Sequence, residues 1–89
     1  MNEGKRLEIV LYTRAGCCLC HDAELLLRER QSRDGFELCI VDIDADAALR
    51  ERYDTCVPVI TFDGKERFRG LVTAALLDRQ LRAESRLRG

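Results

Sequence analysis

Residues Leu7 to Tyr12 read LEIVLY, six positions of which only Glu8 is charged. Adjacent β-branched Ile9 and Val10 and a closing tyrosine favour a strand, and apolar character on both faces suits a strand in mid-sheet. Such a strand needs neighbours at both edges and cover on both faces. A chain of 89 residues supplies these within one domain and leaves no room for a second. The run is too short, and too interrupted by its glutamate, to cross a membrane or to form the core of a secretory signal.

The rest of the chain reads as the cover and the neighbours. After a loop from Thr13 to Gly16, Leu19, Ala23, Leu26 and Leu27 recur at helical spacing, which predicts a helix from about Cys18 to Gln31 ended by Ser32 to Gly35. FELCIVDI (Phe36 to Ile43) is a second strand, and the aspartates of DADAALRERY can cap a short helix reaching Tyr53. VPVITF and KERF flank Asp63-Gly64, the pattern of a β-hairpin with a two-residue type I′ turn. Gly70 breaks the strand, Leu71 to about Leu81 forms a third helix, and the tail from Arg82 frays. The expected architecture is α/β in the order βαβαββα, a four-stranded mixed sheet with helices on both faces. It occupies residues 6–83 as a single domain, and 84–89 form a frayed tail. The leading strand-helix-strand unit crosses over right-handed to place its strands parallel.

Charge and cysteine usage narrow the function. A net charge of -1 shows no basic bias, so nucleic acid is not an expected partner. With no membrane segment or secretory leader expected, the location is read as cytoplasmic and the chain as a monomer. Five cysteines in that reducing compartment, three of them within AGCCLCH (Ala15 to His21), point to chemistry or metal binding and not to a disulfide framework. The cluster falls where the first strand turns into the first helix. A helix start presents unpaired backbone N–H groups and the positive end of the macrodipole, so an anion there is stabilised, and a thiolate is such an anion. Cys17 is placed to receive those groups, Arg14 can add positive charge, and Asp22 and Glu24 oppose it. Cys20, three residues on, shares the helical face of Cys17 and lies deeper. An exposed nucleophile with a shielded resolving thiol is the requirement for disulfide exchange.

The motifs LYTRAGCCLC (Leu11 to Cys20), VDIDAD (Val41 to Asp46) and CVPV (Cys56 to Val59) resemble those of small bacterial glutaredoxin-like proteins of the thioredoxin superfamily, over nearly the whole chain from Leu7 to about Leu81. The resemblance implies a thioredoxin-like fold and thiol-disulfide exchange on protein or glutathione mixed disulfides. It also implies Cys17 as nucleophile, Cys20 as resolving thiol, and a cis Val57-Pro58 peptide facing them. The backbone of Val57 would then pair with an extended substrate. No tightly bound cofactor is implied; the co-substrate would be glutathione or another thiol, renewed by glutathione or by a reductase partner. Two departures bear on this. Glutaredoxins hold glutathione with a Gly-Gly and acidic pair, whereas Arg69-Gly70-Leu71-Val72-Thr73 keeps one glycine and no carboxylate. Cys56 stands where threonine is usual, which would bring a third thiol to the pair.

Four further residues carry candidate chemistry. Cys18, rotated about 100° from Cys17 on a helix, is an exposed bystander, with an auxiliary thiol role as its alternative. His21 is a solvated first-turn residue, with proton acceptance from a thiol as its alternative. Cys39 is a small core hydrophobe inside an apolar strand. Cys56 is a packed thiol or a redox auxiliary. Two rival functions stand beside oxidoreductase: a copper or zinc module using Cys17, Cys18, Cys20, His21 and Cys56, and an adaptor that binds through the same groove without turnover.

Overall fold

The LEIVLY run forms β1 (Glu8–Thr13) in the computed structural model, which describes residues 7–53 and 57–88. Along the chain come α1 (Cys18–Asp34), β2 (Glu37–Asp42), a 3₁₀ turn (Ile43–Ala45), α2 (Ala47–Tyr53), β3 (Val59–Phe62), β4 (Lys65–Arg69) and α3 (Ala74–Arg88). The sheet order is β2-β1-β3-β4, with β1 parallel to β2 and antiparallel to β3, and β3 antiparallel to β4. β1 is therefore an inner strand, as its two apolar faces require. Asp63 and Gly64 both have positive φ, 52° and 86°, the conformation that a type I′ turn demands at its two central residues.

Side-chain alternation divides the sheet into two unlike faces. On the first, Ile9, Leu11, Ile60 and Phe62 are buried, with Leu38, Ile40 and Phe68 packed beside them. Both long helices cover this face, α1 through Ala23 and Leu27 and α3 through Leu77 and Leu81. Arg30 of α1 donates two hydrogen bonds to Asp78 of α3 at 2.9 and 3.1 Å, and Arg33 adds one at 3.3 Å, so the two helices are tied to each other. The second face carries Val10, Tyr12, Cys39, Val59 and Thr61 by register. Its cover is the 3₁₀ turn and α2, whose Ile43 and Tyr53 close over Tyr12 and Val59, the Tyr12 and Tyr53 rings lying 4.8 Å apart.

Three expectations are corrected. Cys39 is exposed and no core residue, because β2 is an edge strand and the seven-residue α2 leaves its stretch of the second face uncovered. α3 begins at Ala74, not Leu71: Thr73 caps it, its Oγ1 accepting the Leu76 N–H at 3.2 Å. The helix continues to Arg88 in place of a frayed tail. Glu84 anchors the extra turns, 5% exposed, accepting from Gln80 at 2.7 Å and lying 3.4 Å from Arg67. Arg67 is the additional residue of an irregularity in the β3–β4 ladder, which pairs Ile60 with Phe68 but Thr61 with Glu66. At the other helix, α1 runs to Asp34, where Gly35 adopts φ 75° and donates its N–H to the Gln31 carbonyl at 2.8 Å.

Candidate functional site

Cys17 is the N-cap of α1: its backbone is extended, and its Sγ accepts the Cys20 backbone N–H at 3.2 Å. The position comes from the chain's local chemistry, since Gly16 takes φ 78° and turns the loop out of β1 into the helix. The Cys17 carbonyl accepts the His21 N–H at 3.1 Å, closing the first turn. Cys17 is half-buried and Cys18 and His21 exposed, whereas Cys20 is 2% exposed, on the helix stripe that continues through Ala23 and Leu27. A half-buried first thiol and a fully shielded second thiol thus lie as neighbours in one helical turn, where the spacing predicted an exposed first thiol.

Burial pushes the Cys20 thiol above its ordinary pKa, and its hydrogen bond with the Cys17 sulfur and the charge of that sulfur push it the same way. The Thr13 side chain and the Arg14 backbone also hydrogen-bond to Cys20 and act in the opposite direction, favouring its thiolate. Both lie where β1 ends, so the strand that organises the sheet also supports the inner sulfur.

An open groove of about 300 Å³ lies over the pair. It brings together Arg14, Cys17 and Cys20 of the expected site, and adds Thr13, His21, Glu24 and Asp42. Arg14 does not stand alone here. Its Nη2 and Nε donate to the Asp44 carboxylate at 3.0 and 3.3 Å, so its charge is shared with the turn after β2. Glu24 pairs with Arg28 at 2.9 Å, and Asp42 accepts the Asp44 N–H at 2.9 Å.

Thr13 and Asp42 escape a reading based on local periodicity, although a signal for them exists. β1 and β2 are parallel and pair Thr13 with Asp42, so their carboxyl ends share the edge at which α/β sheets gather functional groups. Glu24, already weighed against the Cys17 thiolate in the sequence, lies seven residues beyond Cys17, two turns along the same face of α1.

Among the described residues, the walls of the groove include none of Cys18, Val57 and Pro58. Pro58 is buried, its preceding peptide is cis, and its carbonyl accepts the Gly70 N–H at 2.7 Å. Since Tyr12 pairs with Val59, the register places Pro58 beside Thr13, at the same end of the sheet as the thiols. Val57 packs against Ile43, Tyr53 and Val59. Cys56 lies outside the described residues. Among those described, no three His, Cys, Asp or Glu side chains are arranged to hold a metal ion, and no helix is long and apolar enough to cross a membrane.

Residues 8–82 match the family described as "Glutaredoxin-like domain (DUF836)". An uncharacterised protein of Mycobacterium tuberculosis is 35% identical over 66 residues, 68% of each chain. A structural-genomics target from X. campestris shares 37% identity over 84% of this chain and 96% of its own, with a TM-score of 0.68. Fasciola hepatica thioredoxin superposes over 92% of this chain and 85% of its own, at 25% identity and a TM-score of 0.68. The fold is thioredoxin-like.

Proposed function

We propose that this chain, which belongs to the glutaredoxin-like domain family, is a thiol-disulfide oxidoreductase working through Cys17 and Cys20. The observation that carries the reading is the capping geometry: an accessible Cys17 Sγ accepting a backbone N–H at the start of α1, with Cys20 buried one turn deeper.

In this reading the Cys17 thiolate attacks one sulfur of a substrate disulfide. A Cys17–substrate bond forms, the substrate S–S bond breaks, and the departing thiolate takes up a proton. Cys20 then loses its proton to solvent and attacks Cys17 Sγ. The second substrate thiolate leaves, the substrate has gained two electrons, and Cys17 and Cys20 hold a disulfide. Thr13 and the Arg14 N–H support Cys20 at the moment it becomes an anion, against the burial that otherwise keeps it protonated. Val57 would present its backbone to an extended substrate beside Pro58. A disulfide-bearing protein or small disulfide is the substrate, and an external thiol or reductase restores the dithiol.

The test is a redox titration of the reduced chain, with mass-spectrometric mapping of the product. The expected result is a two-electron couple between about -270 and -120 mV with a Cys17–Cys20 disulfide. Cys17→Ser abolishes turnover, and Cys20→Ser traps a mixed disulfide on Cys17. Absence of a couple, or a disulfide that omits Cys17, overturns the assignment.

A further inference from the structure

The charge of the groove selects among disulfides, an inference that rests on the oxidoreductase reading and names its substrate class. Arg14 is the one cation among the described groove walls, and it is already held in a two-bond pair by Asp44. Two carboxylates share the walls with it. Glu24 is paired to Arg28, an arginine whose side chain is 55% exposed, so that pair is weak and open to exchange. Asp42 has no ion-pair partner among the described residues; its carboxylate serves the Asp44 N–H. Counting the described partners with the walls changes nothing, because Asp44 offsets Arg14 as Arg28 offsets Glu24, and one negative charge is left over among the described residues. When Cys17 reacts as a thiolate, it adds another.

We propose that the groove accepts disulfides whose half-cystines are flanked by cationic groups, such as a peptide or protein disulfide beside Lys or Arg, and disfavours anionic disulfides. Oxidised glutathione falls in the disfavoured class, because each half carries two carboxylates against one ammonium. Glu24 and Asp42 are the specificity-determining residues. They act on the approach of the substrate and take no part in bond exchange.

The test is a single-turnover reaction of the full reduced chain with three small disulfides at neutral pH: cystamine, a dication; bis(2-hydroxyethyl) disulfide, neutral; and 3,3′-dithiodipropionate, a dianion. Each rate is divided by the rate of the same disulfide with dithiothreitol, which removes differences in leaving group. At about 0.01 M ionic strength, where screening reaches about 30 Å, the normalised rate for cystamine should exceed that for the dianion by about five- to tenfold. Near 1 M salt the ratio should fall below about twofold. Glu24→Gln with Asp42→Asn, which retains the cap on the Asp44 N–H, should bring the low-salt ratio toward unity. Glu37→Gln, at the far end of β2, should leave it as in the native chain.

Equal normalised rates at low salt, or faster reaction of the dianion, would overturn the charge selection while leaving the oxidoreductase intact. A cation preference that survives high salt overturns it as well. Failure of all three disulfides to oxidise the chain removes the underlying reading, and the selection with it. The salt arm needs only the native protein, so misfolding of a variant cannot rescue the proposal.

Discussion

The two faces of the sheet differ in how completely they are covered, and two cysteines show the consequence. Cys20 sits in the layer between α1 and the first face, 2% exposed; Cys39 sits on the second face and is exposed. Both come from apolar-looking stretches. The first face is closed by two long helices tied through Asp78, and the second by one helix of seven residues. Where cover is complete, a thiol is shielded and its pKa is raised; where it stops short, the same side chain meets water.

The sharpest way to break this contrast is to cut into the covered face. Leu27→Ala removes a fully buried side chain between α1 and the sheet, and urea denaturation should show a loss of about 2–5 kcal/mol. If the loss is under about 1 kcal/mol, α1 is not packed as described. Next in size is reactivity. In native protein Cys39 should alkylate at the rate of a peptide thiol, and Cys20 slower by about a hundredfold or more, as expected when labelling waits for opening. Because burial raises the Cys20 pKa above the ordinary 9.0, its protection should persist as pH rises through that value. Equal rates, read by mass spectrometry, would erase the difference between the faces.

The helix tie offers a smaller, pH-dependent effect. Arg30 and then Arg33, hydrogen-bonded to the Asp78 carboxylate, lower its pKa from 3.8 to about 2. A depressed carboxylate stabilises the fold fully above its unfolded value and loses that contribution as pH falls toward the folded one. The native chain should therefore exceed Asp78→Asn in thermal midpoint by a constant margin above about pH 4, and the margin should close near pH 2. A margin independent of pH would assign the effect to packing. The smallest change belongs to the open face: Cys39→Ser should alter stability by no more than about 0.5 kcal/mol.

How much of this is legible in the chain depends on the range of the interaction involved. Element order, the inner position of LEIVLY, the Asp63-Gly64 turn and the placement of Cys17 at a helix start obey short-range rules, because periodicity, caps and positive-φ turns are set within a few residues. The extent of α3 is not legible: its last turns hold through Glu84, whose partners include Arg67 on a distant strand. Local pattern misplaces Cys39 because alternation tells which way a side chain points but not whether a helix arrives to cover it.

The same division runs through the site. Spacing alone puts two thiols on one face of one helical turn, since 3.6 residues per turn leaves three-apart neighbours adjacent. Their surroundings required the assembled sheet. Asp44 on Arg14, Asp42 on one side of Thr13 and Pro58 on the other come from segments far apart in the chain, brought to one edge by strand register. Local sequence placed the sulfurs and Glu24 on one helix; the long-range pairing of strands brought Asp42 and Asp44 to them.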